Sequence, residues 1–319
     1  MKKYFTKKNI IRVVKILFMV AVVFFTTKYI IDNFNDLKNT PVSLNIPLFI
    51  LSVFVFFLYK LYNAILWHYI TVKNNCSINI VKAVISWGYS QLGKYIPGKV
   101  FYLGARLYYY NEEGKSNKKV TFSFFIENIC TLLAASFTLL IAMLFVNIPV
   151  FNDYKLINIG LLVLFFIMVN PRILEFLINF GLKILKKPPV VISMSYKDML
   201  VIVLHFILNW LVLGIGFFLL VNSMYPIGIE NFFYLSGSFA FSSMMGILAI
   251  IAPSGIGVRE FFLSETLKYI IDATGTVFVI VVVSRIWVTI AELFAVLLSF
   301  IAAKVLKIEF KVDDVKKTT

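Results

Sequence analysis

Arginine is scarce in this sequence, and its positions mark two short segments. Five of the 31 basic residues are arginines, and the others are lysines. Arg106, Arg259 and Arg285 fall in or just after two stretches that glycine and proline interrupt. A planar guanidinium can bind a phosphate through two parallel hydrogen bonds, which a lysine ammonium does not do. The pattern predicts phosphate-binding arginines; the alternative is that Arg106 and Arg259 are ordinary anchors at the membrane edge.

Two glutamates in apolar stretches are the expected counter-charges for these arginines. Glu292 follows Arg285 by seven residues, or two helical turns, so both side chains lie on one helix face. Glu127 lies in another apolar run. Because a charge within a membrane span needs a partner, we expect Glu127 and Glu292 to be the partners of Arg285. The alternative is a buried ion pair that only fixes helix packing.

The sequence PSGIGVRE predicts a turn that opens a helix at an anion. Gly255 and Gly257 free the backbone just before a helical stretch that carries Arg259 and Glu260, and Pro253 is the expected hinge. Exposed backbone N–H groups and the helix dipole would then point at an anionic group. By itself, a Pro-x-Gly-x-Gly pattern is also typical of an ordinary turn.

A second interrupted segment lies in the first half of the chain. Within 81–110, the sequence KYIPGK joins two apolar stretches that are each too short to span a membrane. Both ends are cationic, so we expect the segment to enter and leave on one side, turning at Pro97 and Gly98. A pair of helices lying flat at the interface is the alternative. Two such segments in corresponding halves indicate a transport site near the midplane.

Membrane-spanning helices must position these residues. Sixty per cent of the 319 residues are hydrophobic and the mean hydropathy is +0.89, more than a water-soluble core of this size can bury. Apolar stretches reach the roughly 20 residues that a helix needs to cross a bilayer, without the strict alternation of barrel strands. The clear spans are 10–31, 46–70, 120–147, 155–170, 199–221, 232–251 and 276–303.

The charge pattern orients the chain in the membrane. The formal net charge is +15. Its lysines lie at the termini and in alternate loops, as the positive-inside rule requires, so we expect no nucleic-acid partner. Both termini, including the basic tail 304–319, are expected on the cytoplasmic side of the plasma membrane. The number of crossings is then even, which predicts an eighth, polar crossing over 256–272.

The predicted fold class is an all-α, polytopic transmembrane bundle with about eight crossings. Residues 1–319 form one integral membrane domain, in which a weak internal repeat relates 10–147 to 155–303. Each half contains one glycine- and proline-broken re-entrant or half-helix segment, 81–110 and 247–272. No Ser-His-Asp pattern, HExxH motif or Walker loop occurs, so we predict no catalytic residue, metal site or cofactor.

This sequence resembles the transmembrane domain shared by lysylphosphatidylglycerol synthases and stand-alone flippase-like membrane proteins. The similarity covers about residues 10–305 and rests on GKYIPGKVFYLGARLYYY, the span bearing Glu127, APSGIGVREFFL and RIWVTIAELFA. Two positions depart from the family: Ser254 stands where glycine is usual, and Glu127-Asn128 stands where many members have an Asp-Arg pair. The family motif falls on Pro97, Gly98, Arg106, Pro253, Gly255, Gly257, Arg259 and Glu260.

The resemblance implies lipid transport more than enzymatic catalysis. In the full synthases this domain is implicated in moving an aminoacylated phospholipid between leaflets, and a separate soluble domain, not expected here, transfers the amino acid. We therefore predict a flippase-like translocase or lipid-handling protein for an anionic phospholipid or a polyprenyl-phosphate-linked glycan in cell-envelope synthesis. The predicted substrate-binding residues are Arg106, Glu127, Gly255, Gly257, Arg259, Glu260, Arg285 and Glu292.

Two other functions remain open from the sequence. One is an intramembrane glycosyl- or phosphotransferase in which Glu127, Glu260 or Glu292 is the general base on a lipid phosphate. The other is a non-catalytic scaffold for partners in envelope glycan synthesis. An open basic cleft would favour transport, a carboxylate pair with an ion would favour chemistry, and a closed bundle would favour the scaffold.

Overall fold

The protein is all-helical over the residues that its structure, a computed structural model, describes. These residues are 43–91, 93, 100–145, 156, 160, 163, 164, 167, 169–184, 186, 189, 191, 193–249 and 255–308. Their α-helices are α1 (Ile46–Lys73), α2 (Ile80–Ser90), α3 (Val100–Glu112), α4 (Asn117–Phe145), α5 (Pro171–Ile184), α6 (Tyr196–Asn222), α7 (Phe232–Leu248), α8 (Val258–Leu267) and α9 (Thr274–Val305). The predicted all-α fold class is confirmed.

Four helices, α1, α4, α6 and α9, are long and apolar enough to cross a membrane. They coincide with four of the predicted spans, which indicates a multi-pass membrane protein. The count of about eight crossings stays a prediction, because span 10–31 lies outside the described residues and 155–170 lies largely outside them.

Helices α1 and α6 are antiparallel and define the two ends of the bundle. Asn45 caps α1, and its backbone N–H donates to the Ser223 carbonyl just after α6 at 2.7 Å. We call this the first end. At the second end, the Lys73 ammonium lies 2.6 Å from the carboxylate of Asp198, which also forms a capping box with Ser195 at the start of α6.

Helices α2 and α3 form a hairpin that enters the bundle from the second end. An ion pair between Lys82 and Glu113 joins the two arms where the hairpin begins, and Arg106 Nε donates to Ser90 Oγ at 3.2 Å nearer its tip. Helix α2 packs against α1 and α9, so the pair does not lie flat. With 11 residues, α2 is about 17 Å long, too short to cross about 30 Å of hydrocarbon. This arrangement favours the predicted re-entrant segment.

Helices α7 and α8 form a second hairpin, which starts at the first end. Tyr234, near the start of α7, donates to the Thr266 carbonyl near the end of α8 at 2.7 Å, and the Phe241 and Phe262 rings meet between them at 5.3 Å. Helix α8 has 10 residues and is about 15 Å long, so it cannot cross alone. The crossing expected over 256–272 is thus the returning arm of a hairpin.

Two glycines bring the arms of this second hairpin together. A Cβ on Gly255 would lie 2.6 Å from the Cα of Gly246, and Gly255 has a φ of +68°. Other residues are strained at such an angle, so both the space and the backbone require glycine. The predicted hinge residues Pro97, Gly98 and Pro253 lie outside the described residues.

Replacing Gly255 with alanine is expected to destabilise the protein by about 2–4 kcal/mol, through backbone strain and overpacking. Thermal unfolding in detergent can be followed with a thiol-reactive dye. Burial raises the pKa of the Cys76 thiol, which keeps it unreactive until the fold opens. The control is Gly104→Ala in α3, because a Cβ there meets nothing within 4 Å. Equal Tm values for both variants would contradict the tight hairpin contact.

The order of long helix, two-helix hairpin and long helix occurs twice. It runs from α1 to α4 and again from α6 to α9, and the hairpins enter from opposite ends. This order is what an inverted repeat produces in transporters. The division into halves 10–147 and 155–303 itself stays a prediction.

Candidate functional site

A cavity of about 420 Å³ lies at mid-depth, and both hairpins contribute residues to its wall. Lys60 lies near the middle of the 28-residue α1, and Trp210 lies near the middle of the 27-residue α6. Trp87 and Tyr102 line the cavity from the first hairpin, and Arg259 lines it from the second. The hairpins therefore place polar groups at half the depth of the spanning helices.

The cavity gathers some of the predicted site residues and leaves others around it. Glu127, Arg259 and Glu292 line it directly. Arg106 lies behind Glu127 and binds it. The others flank Arg259 in the sequence: Gly255 and Gly257 precede α8, Glu260 lies in its first turn, and Arg285 lies in α9.

Arg106 and Glu127 form a buried ion pair. Arg106 is 0% exposed and Glu127 is 5% exposed. Arg106 Nη1 donates to Glu127 Oε2, while Trp87 Nε1 donates to Oε1 at 2.9 Å. The guanidinium also lies 4.2 Å from the ring centroid of Trp67 and 5.0 Å from that of Tyr102. This geometry favours a positioning role for Arg106, which holds Glu127 at the cavity, over the predicted direct contact with phosphate.

Lys60 was not among the predicted site residues, yet it pairs with Glu292 in the cavity wall. The Lys60 ammonium lies 2.7 Å from Glu292 Oε1, and both side chains are buried. The ammonium also lies 5.2 Å from the ring centroid of Phe56 and 5.8 Å from that of Tyr59. A signal was present in the sequence, because a lysine in the middle of an apolar span is rare and usually functional.

Arg285 has a charged partner, Glu260, that the sequence spacing does not assign to it. Arg285 Nη1 lies 3.6 Å from Glu260 Oε1, whereas the expected partners Glu127 and Glu292 bind other cations. The reason is that α8 turns back into the bundle and packs against α9, which brings Glu260 to Arg285. Glu260 Oε2 also accepts a hydrogen bond of 2.6 Å from the Gly257 backbone N–H, so this carboxylate fixes the start of α8.

Arg259 presents a buried guanidinium to the cavity. Its side chain comes from the first turn of α8, just after Gly257, whose φ is +84°. Arg259 is 9% exposed, and its guanidinium lies 4.6 Å from the ring centroid of Phe239. Its Nη2 has no hydrogen-bond partner among the residues that the structure describes. Since a buried donor without a partner costs about 1–3 kcal/mol, and a charged one more, an anion in the cavity would be stabilised here.

The remaining wall is aromatic and neutral. Rings of Phe56, Tyr59, Trp87, Tyr102, Trp210 and Phe239 face the cavity, together with Asn63, Asn128, Thr131 and Ser243. Such a surface can pack the uncharged part of a ligand and fix it with a few hydrogen bonds. Within the described ranges, no cluster of three His, Cys, Asp or Glu side chains could hold a metal ion.

Comparison with known protein families supports the resemblance seen in the sequence. Residues 12–291 match the family described as Lysylphosphatidylglycerol synthase TM region. The matched range includes both hairpins, Lys60, Glu127 and Arg259. No curated protein and no solved structure matches.

Proposed function

This chain belongs to the lysylphosphatidylglycerol synthase TM region family, and on that premise we propose that it moves an anionic lipid headgroup through the mid-depth cavity. The family indicates a lipid-related function in a membrane. The proposed substrate is an anionic phospholipid or a polyprenyl-phosphate-linked glycan of the cell envelope. The proposed location is the plasma membrane, with both termini cytoplasmic and with partners in envelope glycan synthesis.

The observation that carries this proposal is the guanidinium of Arg259. It lies at half the depth of the bundle, and its Nη2 is unsatisfied by the described residues. Moving a headgroup across a bilayer is limited by desolvation of its charge. A polar cavity whose guanidinium can donate to the headgroup replaces part of the hydration that the headgroup loses. No covalent step is needed. The acyl chains stay in lipid beside the bundle.

The other predicted site residues support Arg259 in this proposal. Glu127 and Glu292 balance the positive charge of the cavity when no headgroup is bound. Arg106 holds Glu127, and Arg285 holds Glu260 at the start of α8. Gly255 and Gly257, with positive φ, let the chain turn directly before Arg259. The helix dipole of α8 adds to the attraction for an anion.

The two alternative functions receive less support. A transferase needs a carboxylate free to act as a base, whereas Glu127, Glu260 and Glu292 each lie against a cation. A scaffold predicts a closed bundle whose polar residues pair only with each other. The cavity of about 420 Å³ and the unsatisfied Arg259 Nη2 argue against that arrangement.

The lipids that co-purify with the protein test this proposal. We expect mass spectrometry to find a phosphate-bearing anionic lipid enriched several-fold over its share of the surrounding membrane, because one guanidinium–phosphate contact gives about tenfold in affinity. Zwitterionic lipids are expected in their bulk proportion. A retained lipid fraction with the same composition as the whole membrane extract would count against an anion-selective site.

A further inference from the structure

Lys60 and Glu292 line the same cavity as Arg259, and we infer that this pair exchanges partners when an anionic headgroup enters. In the exchange, a phosphate of the ligand displaces the Glu292 carboxylate from the Lys60 ammonium. Lys60 becomes a second phosphate ligand beside Arg259. The Glu292 carboxylate competes with the phosphate for the Lys60 ammonium. The inference rests on the proposed function and adds to it the residue that binds and the residue that releases the headgroup.

The Glu292 carboxylate occupies the position that an anionic ligand would take. Its Oε1 lies 2.7 Å from the Lys60 ammonium, in the wall of the cavity that Arg259 also lines. All three side chains line the cavity. A carboxylate and a phosphodiester each carry one negative charge and offer two oxygens to such donors. A phosphodiester can therefore replace the Glu292 carboxylate without leaving the Lys60 ammonium unpaired.

Helix packing does not explain why this pair is charged. A buried ion pair adds little net stability, because desolvation offsets the attraction between the charges. Helices α1 and α9 already pack through the rings of Phe56 and Trp287, whose centroids lie 4.4 Å apart. Apolar residues in place of Lys60 and Glu292 would hold these helices together as well. The pair faces a cavity, which makes contact with a ligand the better explanation.

The exchange also accounts for release of the ligand. Two cations that bound a phosphate in a low-dielectric cavity without competition would hold it tightly. Because its side chain is flexible, Glu292 stays within reach of Lys60. Its carboxylate can form the ion pair with Lys60 again and displace the phosphate. The carboxylate therefore weakens binding of the headgroup, and the ammonium strengthens it. Opposite effects of the two residues on affinity distinguish this exchange from a merely structural ion pair.

The ligand class that fits is a phosphate ester with an uncharged, ring-packing remainder. Lys60 and Arg259 account for the phosphate, while the aromatic wall contacts the rest of the headgroup. The phosphate could belong to a lipid or to a soluble phosphate ester. A short-chain phosphatidylglycerol and soluble glycerol phosphate separate these two sources.

The test measures binding of short-chain phosphatidylglycerol to purified variants by tryptophan fluorescence, because Trp87 and Trp210 line the cavity. We expect Glu292→Gln to tighten binding about tenfold and Lys60→Met to weaken it about tenfold, as expected for one charge-assisted contact. The control is Lys73→Met, whose partner Asp198 lies at the second end, outside the cavity. Its affinity should equal that of the wild type.

Each outcome decides between the exchange and its alternatives. If Lys60→Met and Glu292→Gln change affinity in the same direction, the exchange is wrong and the pair is structural. If Arg259→Gln binds as tightly as the wild type, the proposed function fails as well. Binding of soluble glycerol phosphate as tightly as the lipid would overturn the lipid headgroup as ligand.

A double variant covers the case in which a single variant does not fold. Lys60→Met/Glu292→Gln leaves neither charge buried alone. The exchange predicts that it binds the lipid more tightly than Lys60→Met, because the Glu292 charge no longer repels the phosphate, and about tenfold more weakly than Glu292→Gln, because Arg259 alone then contacts the phosphate. Affinity equal to that of Glu292→Gln would refute a role for Lys60, and affinity equal to that of Lys60→Met would refute a role for Glu292.

Discussion

Replacing Arg259 with glutamine is expected to slow translocation of a labelled anionic phospholipid about 10- to 100-fold in reconstituted vesicles. A hydrogen bond to a charged group contributes about 1.5–3 kcal/mol, and each 1.4 kcal/mol corresponds to a tenfold change in rate. The fold should survive, because among the described residues Nη2 of Arg259 has no hydrogen-bond partner and Arg259 forms no ion pair within 4 Å. Glutamine also keeps a polar group at the cavity.

Two further variants separate the guanidinium from charge in general. Arg259→Lys keeps the charge without the two parallel donors, so we expect an intermediate rate. Arg172→Gln makes the same substitution at an exposed position in α5 and should leave the rate unchanged. Wild-type rates for Arg259→Gln in protein that is folded and inserted would remove Arg259 from the site.

Replacing Glu127 with glutamine is expected to destabilise the protein by about 3–5 kcal/mol, because it leaves the guanidinium of Arg106 buried without a counter-charge. Arg106 is 0% exposed, so water cannot take the place of the carboxylate. Glutamine still accepts the hydrogen bond from Trp87 Nε1, which confines the change to the charge. The measurement is thermal unfolding of the purified protein in detergent, read with a thiol-reactive dye.

The double variant Arg106→Met/Glu127→Gln should recover most of this loss. It removes both charges, and apolar replacements for buried ion pairs are often neutral in stability. If its Tm stays as low as that of Glu127→Gln, the unpaired arginine is not the cause. If Glu127→Gln alone unfolds at the wild-type temperature, Arg106 and Glu127 do not form the buried ion pair that the structure describes.

The spanning helices could be predicted because they depend on local sequence. The spans 46–70, 199–221 and 276–303 follow from apolar length alone, and each agrees with a helix in the structure. The sequence indicates Arg259 because glycines precede it and arginine is scarce; the residue lines the cavity, and its role stays a prediction. Hydropathy and spacing along one helix carry this information without reference to the rest of the fold.

The pairing of charges could not be predicted from spacing along one helix. Glu292 shares a helix with Arg285, but packing of α1 against α9 gives it Lys60. Arg285 meets Glu260 because α8 turns back along α7. Lysine is common in this chain, so residue type alone does not single out Lys60; its place within an apolar span is the informative feature.

The two hairpins are held by related ion pairs of opposite polarity. In the first, Arg106 on the returning arm binds Glu127 on the following long helix. In the second, Glu260 on the returning arm lies against Arg285 on the following long helix. A search for identical residues does not detect such an exchange of signs, and the internal repeat stays a prediction.

Translocation by the wild-type chain is the most direct test of the account. The purified protein is reconstituted into vesicles that carry a fluorescent phosphatidylglycerol in both leaflets, and an impermeant reagent bleaches the outer leaflet. Transport through the cavity predicts that bleaching proceeds into the inner-leaflet fraction, faster than in protein-free vesicles. Bleaching that stops at the outer-leaflet fraction, with folded protein present in every vesicle, would contradict the proposed function.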